Sequence, residues 1–245
     1  MPEFLTTDSG RKIAFHKTAG HGPTIVFLGG FMSDMEGSKA IFLEGSARET
    51  GKAFLRFDYS GHGQSSGKFT DGSIGDWLAD ARAVIEATTD GPLILIGSSM
   101  GGWISLLLSR SMPERIKGLV TIAAAPDFTE DSMWAGFDDT QKTALESDGI
   151  VYLPSDYGDP YPITQRLIED GRDNLVMRTP LCFDFPVRLL QGTEDTAVTR
   201  ETALRLLDHI VADDMRLSFV KGGDHSLSTD DNLLLIWSAI QEVQK

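Results

Sequence analysis

A single cysteine, Cys182, excludes an internal disulfide and any metal site built on paired thiolates. Basic residues are also scarce: 22 Lys and Arg face 36 Asp and Glu, a formal net charge of −14. Such a surface repels phosphate backbones, so no nucleic-acid partner is expected and the charge serves solubility. No stretch approaches the roughly 18 apolar residues a bilayer span requires. The N-terminal residues Met1-Pro2-Glu3-Phe4-Leu5-Thr6-Thr7-Asp8 show neither a basic leader region nor a long apolar core. A cytoplasmic location is the expectation, and one free thiol is compatible with it. Low-complexity runs and internal repeats are missing too. With 41% hydrophobic residues in a chain of 245, one compact domain over residues 1–245 is expected.

What the sequence does contain is an alternation of short β-branched runs and longer amphipathic stretches. That pattern predicts a mainly parallel sheet covered by helices. Phe4–Thr7 and Lys12–Lys17 read as an antiparallel hairpin around Asp8-Ser9-Gly10. Further strands are expected at Thr24–Leu28, Ala53–Asp58, Leu93–Ile96, Leu119–Ala124, Val187–Leu190 and Arg216–Val220, which makes eight. Helices are expected at Ser38–Thr50, Ile74–Thr88, Met100–Ser111, Arg200–Ile210 and Asp231–Val243. The segment from Pro126 to Pro186 breaks the rhythm. It carries Met133, Trp134, Phe137, Tyr152, Tyr157 and Tyr161 with several prolines, and is too long for a structureless loop in a compact domain. Short helices and a hairpin are expected there, as a small cap over about residues 127–186.

Gly97-Ser98-Ser99-Met100-Gly101-Gly102 lies directly after an apolar strand and directly before a helical pattern. A G-x-S-x-G turn needs that context, because the tight bend tolerates only small residues two positions either side of the serine. Ser99 is the expected nucleophile. Ser98 competes weakly, being flanked at that spacing by the bulky Ile96 and Met100.

A serine hydroxyl needs a base at neutral pH. The order of such sites puts the histidine last, and of His16, His21, His62, His209 and His225 only His225 follows the final strand. The carboxylate that orients the imidazole belongs after the preceding strand. Asp195 in Gly192-Thr193-Glu194-Asp195 fits, with Glu194 beside it and Asp127 as the main alternative. Asp224 reads as a surface loop residue. The oxyanion needs two backbone donors: the N–H of Met100, after the nucleophile, and the N–H of Phe31, after the strand ending at Leu28. His62, in Tyr59-Ser60-Gly61-His62-Gly63-Gln64-Ser65, reads as part of a glycine-shaped loop and not as a catalyst. Trp103 reads as packing.

Together these motifs resemble the α/β-hydrolase superfamily along essentially the whole chain. The stretches Gly29-Gly30-Phe31-Met32-Ser33-Asp34-Met35-Glu36-Gly37-Ser38-Lys39-Ala40, Arg56-Phe57-Asp58-Tyr59-Ser60-Gly61 and Gly97–Trp103 are similar to the α/β-hydrolase domain-containing protein ten group. Many superfamily members carry His-Gly-X where this chain has Gly29-Gly30-Phe31, so the histidine of that loop is missing here. The resemblance implies an α/β-hydrolase fold, an acyl-protein thioesterase or acyl-glucuronide esterase type of activity, and the same roles for Ser99, Asp195 and His225. The group's mitochondrial location is not expected to carry over.

The expected function is therefore a serine esterase or thioesterase acting through an acyl-enzyme on a small acyl ester or thioester, without cofactor or metal. The cap aromatics are expected to line an apolar acyl pocket. Alternatives are a hydrolase of carbon–carbon bonds in ring-cleavage products, a perhydrolase or hydroxynitrile lyase, and a catalytically silent ligand-binding module.

Overall fold

A computed structural model describes residues 1–154 and 160–244; Tyr157, named above among the cap aromatics, lies outside the described residues. In chain order the elements are β1 (Glu3–Thr6), β2 (Lys12–Thr18), β3 (His21–Leu28), α1 (Ser38–Glu49), β4 (Lys52–Phe57), α2 (Ile74–Thr88), β5 (Leu93–Ser98), α3 (Met100–Ser111) and β6 (Ile116–Ile122). A π-helical stretch, Thr129–Trp134, leads to α4 (Asp139–Asp148), β7 (Ile150–Leu153), β8 (Tyr161–Thr164) and α5 (Gln165–Asp173). The chain continues through β9 (Leu181–Cys182), β10 (Val187–Gly192), α6 (Arg200–His209), β11 (Ile210–Val211), β12 (Met215–Val220) and α7 (Asp230–Glu242).

Eight strands form one sheet in the order β1-β2-β4-β3-β5-β6-β10-β12. The pairs β1–β2 and β2–β4 are antiparallel, and every pair from β4 to β12 is parallel. Period-two alternation within the central strands places apolar side chains on both faces. From β3, Val26 and Leu28 join a core with Trp77 and Trp103, while Ile25 and Phe27 join a second core with Leu43 and Ile236. Burying one aliphatic side chain of this kind contributes about 1.5–3 kcal/mol. A sheet covered on both faces therefore holds its strand ends still, and the loops leaving β5, β10 and β12 inherit that rigidity. Among the described residues no helix is long and apolar enough to cross a membrane.

The hairpin, the eight strands and the main helices lie where the periodicity predicts, with shifted ends. The largest shift is in β6, expected at Leu119–Ala124 but running Ile116–Ile122. The alanines after Ile122 extend the apolar run without extending the strand. Ala123 turns at φ +48°, and the Ala125 N–H donates to the Ser99 carbonyl at 3.1 Å. Small apolar residues are required there because the backbone passes against the nucleophile turn.

Between β6 and β10 the chain forms the π-helical stretch, two short helices and the β7–β8 hairpin. Ile163, Leu167 and Ile168 of this segment are buried in the core with Trp77 and Trp103, and polar contacts add to that attachment. Asp127, buried at φ +55°, accepts the N–H groups of Val176 and Met177 at 2.8 and 2.9 Å. Arg178 bridges Asp127 and Asp131, Arg205 also reaches Asp131, and Arg172 pairs with Glu130.

Candidate active site

The turn between β5 and α3 shows why glycine stands two positions either side of Ser99. A Cβ on Gly97 would sit 2.4 Å from the Gly101 carbonyl oxygen, and one on Gly101 would sit 2.0 Å from that of Leu28. Ser99 itself adopts φ 54°, ψ −118°, a conformation that costs of order 1–3 kcal/mol outside a structure that enforces it. Here the flanking elements enforce it: the Ser99 N–H donates to Ile122 O at 2.9 Å, and the Ser99 carbonyl accepts from Gly102 and Ala125.

Three side chains from three loops meet at this point. The Ser99 hydroxyl lies 3.1 Å from His225 Nε2, and His225 Nδ1 lies 2.8 Å from Asp195 Oδ2. A carboxylate accepts only, so Nδ1 carries the proton and Nε2 presents its lone pair to the hydroxyl. The Asp195 side chain is wholly buried. Burial would raise its pKa, but the hydrogen bonds from His225, the Val198 N–H and Gln191 hold it below the ordinary carboxylate range.

Two supports had not been singled out. Gln191, at the end of β10, donates its amide to Asp195 Oδ2 at 2.9 Å and to the Val198 carbonyl at 3.0 Å. Its signal was a glutamine directly after the apolar Leu189-Leu190 pair of β10, four residues before the carboxylate. Lys39, in the first turn of α1, donates to the carbonyl of Ser226 at 2.5 Å and so ties the base loop to that helix. Burial pushes its pKa down, partly opposed by Asp224. No local pattern marks such a contact across 187 residues of sequence.

The other candidates separate cleanly. Asp127 is engaged with the insertion and not with His225. Glu194 is exposed, and exposed Asp224 accepts from Ser226 Oγ and the Leu227 N–H within its own loop. Ser98 closes β5 in register with Ile122. Trp103 is fully buried and donates to the Asn174 carbonyl at 3.0 Å. His62 is buried against aromatic rings and bonds the Met32 N–H, away from the Ser99 hydroxyl.

Among the described residues, the N–H groups of Phe31 and Met100 have no protein acceptor. Both belong to segments bordering Ser99: Met100 opens α3, and Gly30 approaches so closely that a Cβ on it would lie 3.4 Å from the Ser99 Cβ. The helix N-terminus adds a partial positive charge beside them.

Ser99 and His225 open into a cavity of about 750 Å³. One wall is apolar, formed by Phe31, Phe128, Met133, Tyr161 and Val198. Polar lining comes from Ser33 and Asp34 before α1 and from Ser38 and Lys39 at its start. Of the aromatics of the 127–186 segment expected to line this pocket, Phe128 and Tyr161 do so among the described residues. Trp134 instead lies under Arg172, 4.6 Å from its ring centre, Phe137 is buried in the core, and Tyr152 is 62% exposed. Phe31, from the loop after β3, completes the aromatic lining. Phe31 packs edge-on against Phe69 at 4.8 Å and Phe128 at 5.5 Å, because the two loops flanking the nucleophile face each other there.

Comparison with known proteins follows this geometry. The sequence profile of the alpha/beta hydrolase fold family matches residues 23–153. The mouse palmitoyl-protein thioesterase ABHD10, mitochondrial, is 33% identical over 242 residues, 98% of this chain and 81% of that protein. The solved structure of mouse alpha/beta hydrolase domain-containing protein 10 superposes with a TM-score of 0.91 at 30% identity, covering 99% of this chain and 98% of that one. A protein of Agrobacterium vitis S4 described as a hydrolase superposes with a TM-score of 0.96 at 38% identity, covering 100% and 99%. The mouse relative's name places it in mitochondria, so the cytoplasmic expectation draws no support from it.

Proposed function

This chain belongs to the α/β-hydrolase fold family, and from that premise we propose that it is a serine hydrolase of carboxylic esters or thioesters with an apolar acyl group. The observation that carries the reading is the continuous relay Asp195–His225–Ser99 at 2.8 and 3.1 Å, opening into a cavity with one apolar wall.

Ser99 Oγ attacks the acyl carbon while its proton passes to His225 Nε2. Asp195 keeps the imidazole in the tautomer that can accept that proton and stabilises the resulting cation. The N–H groups of Phe31 and Met100 hold the oxyanion as the C–O π bond opens; one such donor is typically worth about 3 kcal/mol in the transition state. Collapse breaks the bond to the alcohol or thiol, which leaves with the proton from His225. Water then adds to the acyl-enzyme, giving its proton to His225, and release of the acid restores Ser99.

The segment over residues 127–186 acts as a cap, lending Phe128, Met133 and Tyr161 to the acyl side of the cavity. The name of the mouse relative, a palmitoyl-protein thioesterase, supports including thioesters among the substrates. Ser99→Ala is expected to abolish turnover of p-nitrophenyl esters and acyl thioesters together with fluorophosphonate labelling. Labelling that persists in a folded S99A protein would refute the nucleophile.

A further inference from the structure

The loop after β3 lacks the histidine expected from resemblance, yet its backbone is held in one orientation. Gly30 to Ser33 forms a tight turn, with the Ser33 N–H donating to the Gly30 carbonyl at 3.2 Å and Ser33 Oγ to the same oxygen at 2.9 Å. Inside that turn Met32 takes φ +55°, in the left-handed region that side-chain-bearing residues disfavour. Something outside the turn must favour that conformation.

The partner is His62, on the loop between β4 and α2. Its Nε2 lies 3.2 Å from the Met32 backbone nitrogen and accepts that N–H. Its Nδ1 lies 3.1 Å from the Ser60 carbonyl and donates to it, which fixes the tautomer. The ring is 4% exposed and packs edge-on against Tyr59, Phe69 and Trp77, with centroids 5.6, 5.3 and 5.1 Å away. Ser60 is itself anchored, by its N–H and hydroxyl to Asp80 and through its carbonyl to Trp77 Nε1. Burial lowers the His62 pKa despite the Ser60 hydrogen bond and the Asp80 charge, which keeps Nε2 free to accept.

We propose that His62 is the positioning residue of the oxyanion loop: by accepting the Met32 N–H its Nε2 holds Met32 in the turn through which Ser33 grips the Gly30 carbonyl, and so aims the N–H of the Gly30–Phe31 peptide at the oxyanion formed on the acyl group bound to Ser99. The histidine missing from the loop is thus supplied from a different segment. This inference rests on the reading of Phe31 as an oxyanion donor. His62 is not a catalytic residue, because it touches neither the hydroxyl nor the base. A role in packing alone would need the ring and not the lone pair, and that difference is measurable.

His62→Phe keeps an aromatic ring and removes the acceptor; His62→Gln keeps an acceptor at similar reach. Both are compared with the unaltered enzyme for kcat and KM on a short-chain p-nitrophenyl ester, for inhibition by an alkyl boronic acid that mimics the tetrahedral adduct, and for Tm. Removing an oxyanion donor outright lowers kcat roughly 10²- to 10³-fold, so a misaimed one should lower it about 10- to 100-fold. H62F is expected to show that loss, with boronate affinity falling in parallel and KM little changed, and H62Q to recover kcat to within a few-fold. A folded H62F with unaltered kcat, or a folded H62Q as slow as H62F, overturns the proposal. Should H62F fail to fold, ¹⁵N NMR of the unaltered enzyme decides. A proton on Nδ1, none on Nε2, and a Met32 amide that shifts on boronate binding support it, whereas the opposite tautomer or an unmoved amide sinks it. Turnover lost in S99A but untouched in H62F would remove this inference alone. Labelling that persists in S99A would remove the hydrolase reading itself.

Discussion

The sheet side of the cavity and the insertion facing it are built from different interactions. On the sheet side, Ser99, Asp195 and His225 hang from the ends of β5, β10 and β12, and each loop is locked by backbone hydrogen bonds or by contacts that admit no Cβ. On the other side, the chain between β6 and β10 buries Ile163, Leu167, Ile168 and Val176 in the core, and is tied further by one buried carboxylate, Asp127, and a chain of exposed or half-exposed ion pairs. Buried hydrogen-bond networks are costly to disturb, whereas surface pairs contribute about 0–1 kcal/mol. The comparison teaches where each side draws its hold: the loops carrying Ser99, Asp195 and His225 are locked by buried hydrogen bonds and steric contacts, and the outer face of the insertion by surface pairs.

The comparison breaks first at its strongest point. Asp195→Asn should leave the protein folded and lower kcat roughly 10³- to 10⁴-fold, the scale seen when an imidazole loses its orienting carboxylate. The same variant carries a pH test. The folded-state pKa of Asp195 lies below its ordinary value, so the stability it contributes is complete above about pH 4 and is lost as pH falls through the lower folded value. The Tm gap between the unaltered enzyme and D195N should therefore be widest near neutrality and close in acid. A gap that widens in acid would contradict the assignment.

A smaller effect is expected at Asp127. Replacing it with alanine leaves the Val176 and Met177 N–H groups without their buried acceptor, at a cost of about 2–4 kcal/mol in stability. Because burial raises the Asp127 pKa, its charge is itself costly, and Asp127→Asn should destabilise less than D127A in chemical denaturation. If the insertion selects substrates, D127A should raise KM several-fold for long acyl esters while kcat on acetyl esters stays within about twofold. Equal losses on both would erase the division between the two walls. The smallest effect belongs to Arg172→Ala, which removes the exposed pair with Glu130 and the contact with Trp134. It should cost no more than about 1 kcal/mol, and a larger loss would show that the surface pairs hold the insertion more firmly than their exposure suggests.

Much of the sheet side was legible from residue order. Continuous apolar runs in β3 and β5 mark strands buried on both faces, and a serine between glycines at strand-to-helix distance marks the tight turn. The lining of the cavity was not legible. Trp134, Phe137 and Tyr152 satisfy the same composition argument as Tyr161, yet they go to an ion-pair face, the core and the surface respectively. Aromatic content says how much apolar area a segment must place, not toward which neighbour. The extended reading of β6 failed for a related reason, since three alanines fit a strand and a buried turn equally well.

Local periodicity and steric constraint act within a few residues of each position, so the strands, the helices, the serine turn and the chain order of Ser99, Asp195 and His225 follow from the amino-acid sequence by itself. Gln191 beneath the carboxylate, Lys39 on the base loop and His62 behind the Met32 peptide were decided only by the tertiary structure. Gln191 donates to Asp195 and Val198, Lys39 donates to the Ser226 carbonyl, and His62 accepts from Met32. The strength of such a hydrogen bond depends on distance and burial, and neither exists until the sheet has brought those groups together.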